Sequence, residues 1–268
     1  MRRRQVIRGG VAAVGAALGV TAFGGTPDAT GAARAATTPE PADTIMDGTR
    51  YETPVYVVEG AESGPTAVAV GGLHGDERTG IRAAERMLEW DIAAGRIVAI
   101  PRANMVAVER DTRQGPEGDL NRKFPPGEMP TTELARALWN RIEAAEPDVV
   151  VTLHSSKGLY GLHRDFVGQA VFPTEAGGAM PVAESAVTAV NDAVVPWYMP
   201  FHDFGLGHPL SGSASLLEHK IGGDLGAAAH IVEVTEYLLD VPAGTRWTER
   251  MATELLAGHG ITRTEGPA

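Results

Sequence analysis

The stretch Thr66-Ala67-Val68-Ala69-Val70-Gly71-Gly72-Leu73-His74-Gly75-Asp76-Glu77 runs from an apolar segment through two glycines into a histidine and two acids. Its first half is short and carries branched residues, the pattern of a buried strand. Beyond it, Thr79–Ala94 places Ile81, Ala84, Leu88 and Ile92 at helical spacing. Similar apolar runs stand at 55–58, 97–100, 149–153, 214–217 and 231–234. Helical patterns lie at 132–145, 179–195 and 247–257. Strands alternating with helices predict an α/β fold: three α/β/α layers around a mixed, largely parallel sheet. The segments 101–130 and 155–178 read as long loops rich in Gly and Pro, a length that usually carries function.

Composition narrows the function classes. The 268 residues include 34 acidic and 23 basic side chains, for a formal net charge of −11. Phosphate binding needs a basic surface, so a nucleic-acid partner is not expected. The chain contains no cysteine. That excludes disulfide scaffolds, thiolate metal sites and cysteine nucleophiles, and leaves His, Asp and Glu as metal ligands.

The N-terminus reads as a targeting segment. Arg2-Arg3-Arg4-Gln5-Val6-Ile7-Arg8 precedes a weakly hydrophobic, Gly/Ala-rich stretch and the small-residue site Ala33-Arg34-Ala35. This is the layout of a secretory signal of the twin-arginine type. The expected organisation is a cleaved signal over 1–35, a linker over 36–50 and one catalytic domain over 51–268. An exported protein with no stable membrane insertion follows from that reading.

Four elements carry chemistry. In the first, His74 and Glu77 follow a strand, three positions apart, so that on a first helical turn both side chains point the same way. An imidazole beside a carboxylate suits Zn²⁺. In the second, Asp148-Val149-Val150-Val151-Thr152-Leu153-His154 ends a buried strand in a histidine. Ligands of open α/β sheets bind beyond the carboxyl ends of strands, where His74, Glu77 and His154 all fall.

In the third, Ile231-Val232-Glu233-Val234-Thr235-Glu236 sets a carboxylate inside an apolar strand, a costly placement unless the group has a task. Glu233 and Glu236 are an odd number apart and face opposite sides of a strand, so one of them serves the site. Glu233, embedded among apolar neighbours, is the expected general base. The fourth is the loop from Asn104 through Arg110 and Arg113 to Asp119-Leu120-Asn121-Arg122-Lys123-Phe124-Pro125. An arginine there suits a developing oxyanion, and an Asn-Arg pair suits a carboxylate.

Taken in this order, Gly-x-His-Gly-Asp-Glu, Asp-Leu-Asn-Arg-x-Phe-Pro, Leu-His and Val-Glu-Val resemble the zinc-dependent succinylglutamate desuccinylase/aspartoacylase family, within the wider zinc metallocarboxypeptidase-like fold. The resemblance covers about residues 64–240. It implies one Zn²⁺ per chain on His74, Glu77 and His154. It further implies Glu233 as catalytic base, Asn121 and Arg122 as holders of a substrate carboxylate, and Arg113 as the oxyanion-stabilising arginine. The spacing of Arg113 to Asp-Leu-Asn-Arg is one residue longer than in aspartoacylase, which keeps Arg110 as an alternative. The family also uses a tyrosine from its C-terminal part, and Tyr160, Tyr198 and Tyr237 are the candidates here. Full-length members carry a C-terminal β-rich domain that narrows the site. Only 35 residues follow Glu233 here, so a more open site is expected.

The resulting expectation is an exported zinc hydrolase of amide bonds that deacylates N-acyl amino acids. The alternatives are a zinc carboxypeptidase trimming short peptides, a catalytically inactive zinc-binding module, and a serine hydrolase built on Ser155-Ser156. No Gly-x-Ser-x-Gly elbow supports the last of these. The aromatic run Trp197–Phe204 reads as a packed loop. The remaining histidines read as structural or exposed, with His202 and His208 next in line as ligands.

Overall fold

A computed structural model describes residues 39–264. The signal-peptide expectation over 1–35 lies outside the described residues. The chain runs β1 (Asp43–Ile45), β2 (Thr53–Glu59), β3 (Glu62–Gly71), α1 (Arg78–Arg86), a 3₁₀ turn (Met87–Glu89) and β4 (Ala94–Ile100). It continues through α2 (Met105–Arg110), a 3₁₀ turn (Leu120–Arg122), α3 (Glu133–Glu143), β5 (Val149–Ser156) and β6 (Ala170–Pro173). Next come α4 (Ala179–Val194), a 3₁₀ turn (Pro200–His202) and β7 (Gly205–Leu206). The last part holds α5 (Leu217–Lys220), a π-turn (Ile221–Leu225), β8 (Ala228–Thr235) and α6 (Val241–Gly258).

The strands form one sheet in the order β1-β2-β4-β3-β5-β8-β6-β7. Its centre, β4-β3-β5-β8, is parallel. The antiparallel pairs β1/β2, β2/β4 and β6/β8 flank it, so the sheet is mixed, as expected.

Alternating side chains of the sheet feed two cores. Val149, Val151, Leu153, Val232 and Val234 pack against Ala83, Ala84 and Met87, against Ala183 and Val190 of α4, and against Met251 and Leu255 of α6. On the other face Val68, Val70, Val98 and Val150 meet Leu134, Leu138 and Ile142 of α3 together with Leu217 and Ile221. Burial of these apolar faces, at roughly 25 cal/mol per Å², drives the three-layer arrangement.

Helix starts follow their caps. Thr132 Oγ1 accepts from the N–H of Ala135, and Asp240 Oδ1 from the N–H of Ala243. Each satisfies an amide that the first helical turn leaves unpaired.

Several local expectations differ from the structure. The run 214–217 reads as a strand in sequence, but Leu217 opens α5 instead. A short buried apolar run has the same composition in either state, and here the N–H of Leu217 is taken by the Asn121 side chain. The helix expected over 79–94 ends at 86 with one further 3₁₀ turn, because Ala94 onwards pairs with β3. Residues 43–45, expected within a linker, pair with β2. The loop 101–130 contains α2, and the loop 155–178 contains β6.

Candidate metal centre and active site

The site forms where β3, β5 and β8 end. His74 sits in the turn after β3, and that turn depends on glycine. Gly72 takes a φ of +67°, which a side chain rarely tolerates. A Cβ on Gly75 would lie 2.0 Å from the carbonyl carbon of Ala107, so only glycine lets this turn pass against α2. Glu77 is the residue before α1. A Cβ on Gly80, in the first turn of that helix, would lie 2.0 Å from the carbonyl oxygen of Leu153. The bare glycine lets α1 press its first turn onto the end of β5, which brings Glu77 to His154.

The three expected ligands are buried together, and their donor atoms lie within 4.8 Å of one another. Glu77 is the centre of the cluster. Its Oε1 is 2.7 Å from Nδ1 of His74, and its Oε2 is 2.7 Å from Nδ1 of His154. The N–H of Ser155 also donates to Oε2, at 3.3 Å. Burial opposes ionisation of Glu77, yet His154 and His74 hold its carboxyl well below the usual range. Burial likewise opposes protonation of His154, but the Glu77 carboxylate outweighs it and raises the imidazole to about 9. Two imidazole nitrogens and a carboxylate gathered this closely fit the donor set of a three-ligand Zn²⁺ site.

Glu233 reaches the same place from β8. It stands opposite His154 in the parallel β5/β8 pairing. Its Oε2 is buried without a protein partner among the described residues, and burial pushes its carboxyl up to about 7 against the pull of His154. Glu236 faces the other way, where its carboxylate accepts from Ser155 Oγ at 2.8 Å. That bond accounts for Ser155 without any nucleophilic role.

Arg113 Nη1 donates to Glu77 Oε1 at 2.9 Å, while its side chain remains 47% exposed. Arg110 lies on the exposed last turn of α2. Asn121 is buried, and its Oδ1 accepts from the N–H of Leu217 at 3.0 Å, so half of its amide serves the fold. Arg122 is exposed and donates from Nη1 to the carbonyl of Asn121 at 2.8 Å.

Of the candidate tyrosines, Tyr160 packs edge-on against Phe172, Tyr198 packs edge-on against Trp197, and Tyr237 stacks on His202. His202 is buried and donates from Nε2 to the carbonyl of Tyr237, a structural role. Trp197, Tyr198 and Phe201 are exposed, so this run is not the packed loop expected.

Sequence reasoning missed two carboxylates. Asp119 Oδ1 lies 3.0 Å from Nε2 of His74, behind the ring as seen from Glu77. Such a partner fixes the tautomer and orientation of a ligating histidine. Glu218 is fully buried beneath the site and hydrogen-bonds Thr152 Oγ1. Its signal was weaker than that of Glu233, since Leu216-Leu217 precede it but His219-Lys220 follow.

Comparison with known proteins gives the same setting. Residues 63–158 match the family described as succinylglutamate desuccinylase/aspartoacylase catalytic domain. Over 108 residues the chain is 38% identical to N-alpha-acetyl-L-2,4-diaminobutyric acid deacetylase of Halomonas elongata, covering 38% of this chain and 31% of that protein. Among solved structures, product-bound Csd4, a cell shape determinant of Helicobacter pylori, superposes with a TM-score of 0.64 at 16% identity, covering 80% of this chain and 57% of that one. A succinylglutamate desuccinylase from Silicibacter sp. TM1040 superposes with a TM-score of 0.57 at 21% identity, covering 81% and 63%. The chain thus spans about a third of the curated relative and about three fifths of these solved chains.

Proposed function

We propose, on the match of residues 63–158 to the succinylglutamate desuccinylase/aspartoacylase catalytic domain, that this protein is a zinc-dependent hydrolase of amide bonds acting on N-acyl amino acids. The observation that carries the reading is the convergence of His74, Glu77 and His154 with Glu233 in register beside them. His74 and His154 through Nδ1, and Glu77 through its carboxylate, would hold the metal. When bound, zinc supplies a Lewis acid for the acyl carbonyl and lowers the pKa of water.

The chain's own residues supply the rest. Glu233, its carboxyl pushed up to about 7, accepts a proton from the attacking water and passes it to the leaving nitrogen, as a group poised near neutral pH does best. Water's oxygen bonds to the acyl carbon, the C–N bond breaks, and a carboxylic acid and an amine leave. Arg113 donates to the oxygen that gains charge in the transition state. The free donors of Arg122 and the Asn121 amide nitrogen hold a carboxylate of the substrate.

A second reading keeps the same machinery and changes the substrate to short peptides cleaved at the C-terminus. It is favoured by the fold likeness to Csd4, of which a tripeptide-bound structure is known. Export by the segment 1–35 belongs to the proposal, and fractionation of cells expressing the full chain tests it.

The deciding experiment measures zinc content and hydrolysis on one purified sample, with and without chelator, against N-acyl amino acids and against free and C-terminally blocked peptides. One zinc per chain with chelator-sensitive deacylation is the expected result. Cleavage of free peptides alone selects the carboxypeptidase reading. A chain that binds no metal after zinc is added back overturns both.

A further inference from the structure

Each imidazole of the site turns one nitrogen toward Glu77 and the other away from it. For His74 the far nitrogen has a partner, with Nε2 3.0 Å from the Asp119 carboxylate. For His154 the far nitrogen, Nε2, is buried with no protein partner among the described residues. A histidine that ligates through Nδ1 carries its proton on Nε2, and that N–H requires an acceptor.

Glu233 Oε2, beside His154 in the strand register and already assigned as base, shares that deficit, and so does a carboxylate oxygen that lies under the same strand. Glu218 is fully buried, its Oε1 accepts from Thr152 Oγ1, and its Oε2 is buried with no protein partner among the described residues. Thr152 and His154 are two apart on β5 and leave the same face of the sheet. The Glu218 carboxylate is close enough for its charge to act on the His154 ring. A loop bond fixes where it stands. Asn121 Oδ1 anchors the N–H of Leu217, the residue before it, so the Asp-Leu-Asn-Arg loop that brings Asp119 to His74 also sets where Glu218 begins.

We propose that Glu218 is the positioning residue of His154: it accepts the Nε2–H of that ring, directly or through one bound water, and presents Nδ1 to the metal as Asp119 does for His74. The proposal rests on the reading of His74, Glu77 and His154 as a metal centre. It assigns a reason to a buried acid that packing alone leaves unexplained, since an apolar residue of that size would fill the space without desolvating a charge.

The test measures the zinc dissociation constant of the full chain by competition with a chelator, the thermal midpoint of the metal-free chain, and the ring-nitrogen NMR shifts of His154. Glu218→Gln removes the charge at nearly constant volume. Zinc affinity is expected to fall about 10- to 100-fold, the range typical of such outer partners, with the His154 ring nitrogens shifted. Glu218→Asp, which keeps the charge but draws it back by one methylene, is expected to lose less. Unchanged zinc affinity in both variants overturns the proposal. So does a loss that follows a lowered metal-free midpoint while the His154 nitrogens stay in place, because that marks a packing role only. A wild-type chain that binds no zinc overturns the metal-centre reading itself, an outcome distinct from either of these.

Discussion

His154 and Glu233 are cross-strand partners. The parallel register of β5 and β8 sets one beside the other at the carboxyl ends of two central strands. A candidate ligand and a candidate base are thereby held by two backbones that cannot slide, since a shift of one residue would turn every side chain of β8 to the wrong face. Glu236 illustrates the alternative, because it lies on the opposite face and bonds Ser155.

That geometry separates the two glutamates by experiment. Glu233→Gln is expected to lower kcat by about 10²- to 10⁴-fold, the usual worth of a general acid–base group, with zinc content unchanged. Glu236→Gln is expected to leave kcat near wild type. Steady-state kinetics and metal analysis on both variants check this. The reverse pattern would move the base to the other face of the strand.

The arginines divide in the same way. Arg113 touches Glu77, whereas Arg110 sits on an exposed helical turn. Arg113→Ala is expected to cost about 10²- to 10³-fold in kcat, as loss of one oxyanion donor does. Arg110→Ala is expected to cost little. Equal effects of the two would remove Arg113 from the oxyanion role.

Gly80 is a structural prerequisite of the candidate metal site. Gly80→Ala would place a Cβ 2.0 Å from the Leu153 carbonyl oxygen and push α1 off β5. A loss of about 1–3 kcal/mol in stability is expected for such overpacking, together with weaker zinc binding as Glu77 leaves His154. Gly223→Ala, whose Cβ would meet Pro126 at an ordinary 3.5 Å, is the control. Denaturant unfolding and zinc titration read both.

His230 supplies a pH dependence remote from the site. It is buried against His259, with 2.9 Å between their Nε2 atoms. Burial, with His259 adding to it, lowers the folded pKa to about 3 from an ordinary 6.5. The unfolded chain therefore binds this proton first as pH falls. The contribution is fully present above about pH 6.5 and is lost on the way down to about pH 3, at about 1.4 kcal/mol per pH unit at most. Between about pH 6.5 and 5 this proton alone makes stability fall with pH, while the raised Glu233 carboxyl works in the opposite sense, so the His230 slope is read as the difference between wild type and variant. His230→Leu should remove that component, and equal slopes in denaturant titrations would sink the assignment.

Much of the fold was legible because its strands are short, branched and nearly uniformly apolar. The run Val149–Leu153 has few alternatives to a central strand. At Leu216-Leu217 the choice is open, because a buried helix and a buried strand share a composition, and a side-chain bond from Asn121 decides it. The exposed aromatics at Trp197, Tyr198 and Phe201 were illegible for a related reason: composition states that a residue is apolar, not which surface remains to cover it.

The layer order, and the residues that the fold gathers as His74, Glu77 and His154 with Glu233 in register beside them, were already legible in the linear chain. Strand period, the cost of an acid among apolar residues, and spacing after a strand are all local, and local pattern is what one chain displays. Three relations came from the folded molecule alone: Arg113 rather than Arg110 reaches Glu77, Asp119 backs His74, and Glu218 is bonded by Thr152, two residues before His154 on β5. They join residues far apart in the chain, and they depend on loop paths and on bare glycines that let helices meet strand ends. Distances of that kind are set by packing, which no spacing along the chain encodes.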